Sequence, residues 1–125
     1  MVGLRTRSGI KEVVAVAASA TLTNDDVGKI ITNRGASGSV TYTLPAPSQD
    51  NAGGSIEFMV VANQTILVNC ETNDLIVIGN DAAADSVSYA TGNEKIGASF
   101  IMTSDGTNWF FRNTSAAAFT LTTAS

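Results

Sequence analysis

The chain has 125 residues, a formal net charge of −4, one cysteine and no histidine. Its length suits one domain with its own core, while a lone cysteine excludes an internal disulfide and the lack of histidine removes the most common general base and transition-metal ligand. Only 14% of the residues are charged, whereas globular domains average about a quarter, so the composition suggests a β-rich structural protein. Catalysis by carboxylates alone is still compatible with this composition, and we expect no metal or cofactor.

A basic arm comes first in chain order. Residues 1–12 contain Arg5, Arg7 and Lys11, and because no acid lies among the first eleven residues, residues 12–125 carry a formal charge of −7. The arm is either a solvated terminus or a segment that docks on an acidic partner surface. Three cations beside an acidic body attract phosphates only weakly, so we expect no nucleic-acid partner.

The apolar run VVAVAASA, residues 13–20, follows the arm. It is shorter than the roughly 18 residues of a membrane helix, so we expect no membrane partner. Cations before it and small residues after it imitate a secretion signal, but cleavage near Ala20 would leave a truncated first strand, and we favour the strand. Residues 13–125 are then expected to form a single β domain.

Short runs of β-type sequence separated by turn residues make up the rest of the chain, and helical periodicity is absent. SVTYTL (39–44) alternates as a half-buried strand does, and LIVI (75–78) predicts a strand buried on both faces. We expect an all-β fold, a single-domain antiparallel β-sandwich or jelly-roll-like barrel of about nine short strands with an extended N-terminal arm. The predicted strands lie at residues 12–17, 20–23, 29–33, 39–44, 55–61, 65–69, 75–78, 97–104 and 108–113, with further candidates at 86–89 and 118–123.

Two pairs of these strands are predicted to form hairpins. The tripeptide ANQ (62–64) joins the first pair, and Asp105-Gly106 forms the turn of the second. Alternation along the strands then assigns the core to Ile30, Val40, Tyr42, Leu44, Ile56, Phe58, Val60, Ile66, Val68, Ile76, Ile78, Phe100, Met102, Trp109 and Phe111.

Aspartates in predicted turns are the candidate chemical groups. An aspartate is favoured in turns because its carboxylate accepts hydrogen bonds from nearby backbone N–H groups. The spacing of a calcium loop is missing, and no pattern supports the pair of acids across a cleft that a glycosidase needs. Cys70 lies in an apolar run and is expected to be a buried thiol. The aspartates are Asp25, Asp26, Asp81, Asp85 and Asp105.

Three consecutive aromatic residues, Trp109, Phe110 and Phe111, end the second predicted hairpin. Successive side chains of a strand point to opposite faces. With Trp109 and Phe111 assigned to the core, Phe110 is predicted to face away from it. An exposed phenyl ring favours burial against another subunit, so Phe110 is a candidate subunit-interface residue in an oligomer.

The segment TLTNDDVGKIITNRGASGSVTYTLPAP (21–47), followed later by IMTSDGTNWFF (101–111), resembles a β-rich module of tailed-bacteriophage virion proteins. The similarity spans about residues 20–113. It implies a non-enzymatic virion component that forms homotrimers and decorates capsids or belongs to head or tail fibres. The stretch APSQDNAGG (46–54) is longer than the module predicts, which suggests a specialised loop.

The resemblance and the small size together favour a capsid decoration, or cement, protein on the capsid surface of the virion. Its partner would be the major capsid protein, whose acidic patches would bind Arg5, Arg7 and Lys11 of each subunit. The alternative is a head-fibre or tail-spike module that binds a host surface glycan through Trp109 or Tyr89. A polysaccharide-degrading enzyme with two carboxylates is a more distant third hypothesis.

Overall fold

The computed structural model describes residues 10–89, 96–115 and 121–124. These residues form twelve strands and a short 3₁₀ helix, Asn24–Asp26, so the expected all-β fold is confirmed. No helix in these ranges is long and apolar enough to span a membrane. The strands are β1 (Val13–Ala15), β2 (Ala20–Thr21), β3 (Ile30–Thr32), β4 (Val40–Leu44), β5 (Ser55–Met59), β6 (Ile66–Cys70), β7 (Ile76–Ile78), β8 (Asp81–Ala84), β9 (Ser86–Tyr89), β10 (Ser99–Ser104), β11 (Trp109–Asn113) and β12 (Leu121–Ala124).

The strands form two sheets. Sheet A has seven strands in the order β1-β3-β5-β10-β11-β7-β8, and sheet B has five in the order β12-β9-β6-β4-β2. Consecutive strands from β1 to β7 alternate between the sheets, because each one leaves its predecessor's sheet for the other. When the chain comes back to a sheet after one strand in the other, the new strand runs in the same direction as the preceding strand of that sheet.

Strand direction therefore differs from the prediction. In the described residues five of the ten strand pairings are parallel: β1 with β3, β3 with β5, β2 with β4, β4 with β6, and β7 with β11. The expected antiparallel arrangement is wrong for these pairs, and both sheets are mixed. Antiparallel pairing is confined to the contacts that involve β8, β9, β10 and β12.

The hairpin predicted around ANQ is also wrong, because β5 lies in sheet A and β6 in sheet B. The fully buried side chain of Asn33 occupies the crossover between them. Its Oδ1 accepts hydrogen bonds from the backbone N–H groups of Val61 (2.8 Å) and Ala62 (2.9 Å). Its Nδ2 donates to the carbonyl groups of Ala62 (3.1 Å) and Gln64 (3.3 Å). A distant side chain thus supplies the backbone partners that a hairpin would have supplied.

The second predicted hairpin is confirmed. Strands β10 and β11 are antiparallel, with Ser104 opposite Trp109 and Met102 opposite Phe111. The turn between them contains Gly106 at φ +92°, a conformation that favours glycine.

One apolar core lies between the two sheets. The ring of Tyr42 in sheet B stacks on Phe58 in sheet A with centroids 5.8 Å apart, and Phe58 stacks on Phe100 at 5.2 Å. Most of the predicted core residues are buried there. Phe111 is only half-buried and packs against the core from its margin.

Two strands differ from the prediction in which side chains are buried. Ile31, not Ile30, enters the core, because β3 pairs with β5 in the register that places Ile31 beside Phe58. Val77 is half-buried, so the run LIVI is buried on one face only. In both strands the apolar residues are consecutive, so the sequence has no apolar–polar alternation to show which side chains face the core.

One strand was not predicted, and another was predicted with different bounds. Strand β8 went unpredicted because its sequence is DAAA and alanine has a low β-propensity. The last strand, β12, covers only part of the run predicted at 118–123, and residues 118–120 lie outside the described ranges.

Candidate functional site

The Asp105 carboxylate is a turn-stabilising group. Its Oδ1 accepts hydrogen bonds from the N–H groups of Asn108 (2.8 Å) and Thr107 (2.9 Å). These bonds favour the ionised form and hold the pKa of Asp105 below its ordinary value. With its oxygen engaged by its own turn, Asp105 acts as the turn residue that the sequence predicted.

Trp109 is a core anchor. Its side chain is 0% exposed, and Nε1 donates a 2.8 Å hydrogen bond to the carbonyl oxygen of Pro45. A ring with both faces covered cannot stack on a sugar. This geometry removes Trp109 from the glycan-binding hypothesis, and the side chain of Tyr89, the other candidate, lies outside the described part of the structure.

Asp26 and Asp85 also accept hydrogen bonds from backbone N–H groups, Asp26 within its own turn and Asp85 from the loop between β6 and β7. Asp26 Oδ2 accepts from the N–H of Thr23 at 2.9 Å, and Asp26 Oδ1 lies 3.2 Å from Lys29 Nζ. Asp85 Oδ1 accepts from the N–H of Asp74 at 2.9 Å. Among the described residues no group of three or more His, Cys, Asp or Glu side chains could hold a metal ion. The carboxylates are therefore distributed over separate turns.

Cys70 is buried, as predicted. Its Sγ lies 3.5 Å from the carbonyl oxygen of Pro45, and burial raises the pKa of the thiol. A thiol that is both buried and protonated is a poor nucleophile.

Asn51 is a structural residue that the sequence analysis missed. It holds the long loop between β4 and β5. Its Oδ1 accepts from the N–H of Ser48 (3.0 Å) and from Ser104 Oγ (2.7 Å), and its Nδ2 donates to the Ala46 carbonyl and to Asn24 Oδ1, both at 3.0 Å. The loop is thereby tied to the 3₁₀ helix and to the end of β10.

The outer face of sheet A is the main candidate interaction surface. Strand register places Val13, Ile30, Glu57, Ile101 and Arg112 in one row across five strands. A second row holds Ser55, Thr103, Phe110 and Val77. We call these nine residues the outer A face. Its apolar members are Val13, Ile30, Val77, Ile101 and Phe110.

Phe110 projects from this face, as the sequence predicted. Its side chain is 40% exposed, while its neighbour Trp109 is buried on the other side of the sheet. An open groove of about 530 Å³ lies beside the ring, and its walls include Ser55, Thr103 and Val77. Val13 at the sheet edge is 62% exposed. This face carries more apolar side chains than is usual for a sheet face in contact with water.

The outer face of sheet B provides the contrast. Its strands carry no charged residue in the described ranges, and its outward positions are mainly small hydroxyl and amide side chains. Such a polar, half-buried surface is typical of a sheet face in water. The outward residues are Thr21, Thr41, Thr43, Leu67, Asn69, Ser86 and Ser88.

Of the three predicted capsid-binding cations, only Lys11 lies in the described part of the chain, and it is exposed. Arg5 and Arg7 lie outside it. The arm joins the body next to Lys11, where the Glu12 carbonyl accepts a 2.9 Å hydrogen bond from the N–H of Ile30. The basic segment therefore enters the domain at β1, the edge strand of sheet A.

Glu57 and Arg112 were not among the residues predicted to form a site. The signal was present for Ile101, because SFIMTS alternates around the buried Phe100 and Met102. Glu57 likewise alternates between the buried Ile56 and Phe58. That these side chains share a row depends on strand order, which the sequence does not contain.

Comparison with protein-family models and with curated protein sequences finds no match to this chain.

Proposed function

We propose that this protein is a structural component of a bacteriophage virion, a decoration or cement protein that binds the shell of the major capsid protein as a homotrimer and stabilises it. The observation that carries the proposal is the division of surfaces on one β domain. An apolar sheet face suits contact between subunits, and a cationic arm enters at the edge of the same sheet.

The arm supplies the attachment to the capsid in this proposal. Arg5, Arg7 and Lys11 carry the opposite charge to the body, so an acidic partner would attract the arm and repel the rest of the chain. Three exposed charges contribute little for one subunit. Three arms on one trimer would bind together, and multivalency would raise the overall affinity well above that of one arm.

Deletion of residues 1–11 tests the proposal. The truncated and full-length proteins are mixed with undecorated capsids, and bound copies per particle are counted after sedimentation. We expect low occupancy for the truncated protein, because the arm's cations are absent. We also expect full-length protein to raise the temperature at which particles break. Unchanged occupancy after the deletion would contradict the role of the arm, and no binding by either protein would contradict the capsid proposal itself.

The glycan-binding alternative has weaker support. It needs exposed aromatic rings, and Trp109 is fully buried with its Nε1 hydrogen-bonded. Phe110 is exposed beside the polar side chains of Ser55, Thr103 and Arg112, so among the described residues the remaining support for this alternative is a single aromatic ring. We therefore retain the decoration function as the conclusion.

A further inference from the structure

The outer A face carries one acidic and one basic side chain on an apolar background. Glu57 and Arg112 lie in the same row on either side of Ile101. They are separated by two strand spacings, roughly 9–10 Å between Cα atoms. The salt bridge of the described residues joins Lys29 and Asp26, and neither Glu57 nor Arg112 takes part in it. Neither charge has an ion-pair partner within the described residues, so each can meet a group outside the chain.

The charges divide the face into two complementary halves. One half, on β5 and the strands beyond it, presents Glu57. The other half, on β11 and β7, presents Arg112. A partner surface that matches the outer A face would need one positive and one negative side chain at the same separation. A second copy of this chain possesses that surface by construction, since each copy offers both charges.

The shape of the outer A face also differs between its two halves. Phe110 projects on the half that carries Arg112. The small side chains of Ser55 and Thr103 lie towards the half that carries Glu57 and form one wall of the groove, whose other walls belong to the half that carries Arg112. A rotation that brings Glu57 of one copy over Arg112 of another also brings Phe110 towards the Ser55 side of the facing copy. Charge and shape thus favour the same juxtaposition.

We infer that the outer A faces of neighbouring copies bind each other, with Glu57 of one copy paired with Arg112 of the next. The contact buries Phe110, Ile101 and Val77. Around a three-fold axis each copy gives its Glu57 half to one neighbour and its Arg112 half to the other. This inference deepens the homotrimer part of the proposed function and rests on it only for the number of copies.

Charge exchange tests the inference on the isolated protein, without capsids. The variants are E57R, R112E and the double variant E57R/R112E, and molar mass is measured by sedimentation equilibrium between about 1 and 100 μM. The wild-type protein should have three times the chain mass of 12.9 kDa. Each single variant should weaken association at least about tenfold, because two like charges then face each other. The double variant should restore the wild-type mass, since the pair is re-formed with reversed signs.

R34E is the matched control, because Arg34 is exposed in the loop after β3 and is not one of the nine residues of the outer A face. It should keep the wild-type mass. Far-ultraviolet circular dichroism verifies that each variant is folded. If E57R does not fold, R112E at its exposed position carries the test alone.

Three results would overturn the inference: a monomeric wild-type protein over the whole concentration range, single variants with the wild-type mass, or a double variant as weak as the single ones. A protein that is monomeric but still decorates capsids would contradict this inference and the homotrimer, and would leave the capsid-binding part of the proposed function intact. A protein that associates through this face but does not bind capsids would support this inference and contradict the capsid-binding part of the proposed function.

Discussion

Tyr42 is the buried polar residue that joins the two sheets. Its side chain is 0% exposed, and its ring stacks on Phe58 of the opposite sheet. Its hydroxyl group donates a 2.5 Å hydrogen bond to the carbonyl oxygen of Val16, directly after β1. Because this bond requires the protonated phenol, the ionisation of Tyr42 is coupled to the stability of the fold.

The stability should therefore fall at high pH. Burial raises the pKa of Tyr42 to about 12, whereas an unfolded tyrosine has a pKa of about 10. The stabilisation that the protonated Tyr42 gives to the folded state is complete below about pH 10. It is lost as the pH rises towards 12, because the unfolded chain releases the tyrosine proton first. We expect the difference in unfolding free energy between wild type and Tyr42→Phe to shrink by about 2–3 kcal/mol over that range. Urea titrations at several pH values measure it, and a constant difference would contradict the coupling.

Single residues with strong local signals were predictable. Asp105-Gly106 was assigned to a turn from the sequence, and its carboxylate binds that turn's N–H groups. Phe110 was assigned to the outside from the alternation around Trp109. Asn33 and Asn51 were not predictable in the same way. Their partners lie far along the chain, and an asparagine that caps a remote loop has no local pattern.

Strand existence was largely predictable from the sequence, but strand partners were not. A two-residue alternation tells which side of a strand faces the core, whereas it contains nothing about the neighbouring strand. The β10–β11 hairpin succeeded because a short turn forces adjacent strands to pair. The predicted β5–β6 hairpin is wrong because the chain passes from sheet A to sheet B between these strands. This crossover is held by the side chain of Asn33, which is remote in the sequence.

The crossover between β5 and β6 should therefore depend on Asn33. In Asn33→Ala the N–H groups of Val61 and Ala62 lose their acceptor. We expect a loss of about 2–4 kcal/mol in unfolding free energy, since each N–H left without a partner costs about 1–3 kcal/mol. Urea unfolding followed by circular dichroism measures this. Asn63→Ala is the matched control, an exposed asparagine in the same loop that should change stability by less than about 0.5 kcal/mol. Equal effects of the two substitutions would contradict the role of Asn33.

At the scale of the whole molecule the surfaces differ in chemistry. The outer A face is apolar with two charges, the outer face of sheet B is uncharged and polar, and the arm is basic. The sequence indicated the basic arm and the exposed Phe110 directly. The row that connects Glu57, Ile101 and Arg112 required strand order, because β5, which carries Glu57, is far along the chain from the β10–β11 hairpin that carries the other two.

The separation of charge between arm and body leads to a prediction about salt. Under the proposed function the arm binds an acidic capsid surface while the −7 body opposes that approach. Salt screens both effects, but the arm is in contact and the body is further away. With the screening length near 10 Å at 0.1 M salt, contact attraction governs the net result. Binding of the full-length protein to undecorated capsids should therefore weaken as salt rises. Substitution of Arg5, Arg7 and Lys11 by glutamine should remove most of this dependence, whereas Arg34→Gln on the body should preserve it. Binding isotherms at several salt concentrations measure the slope, and equal slopes for the arm variant and the wild type would show that the arm does not make the contact.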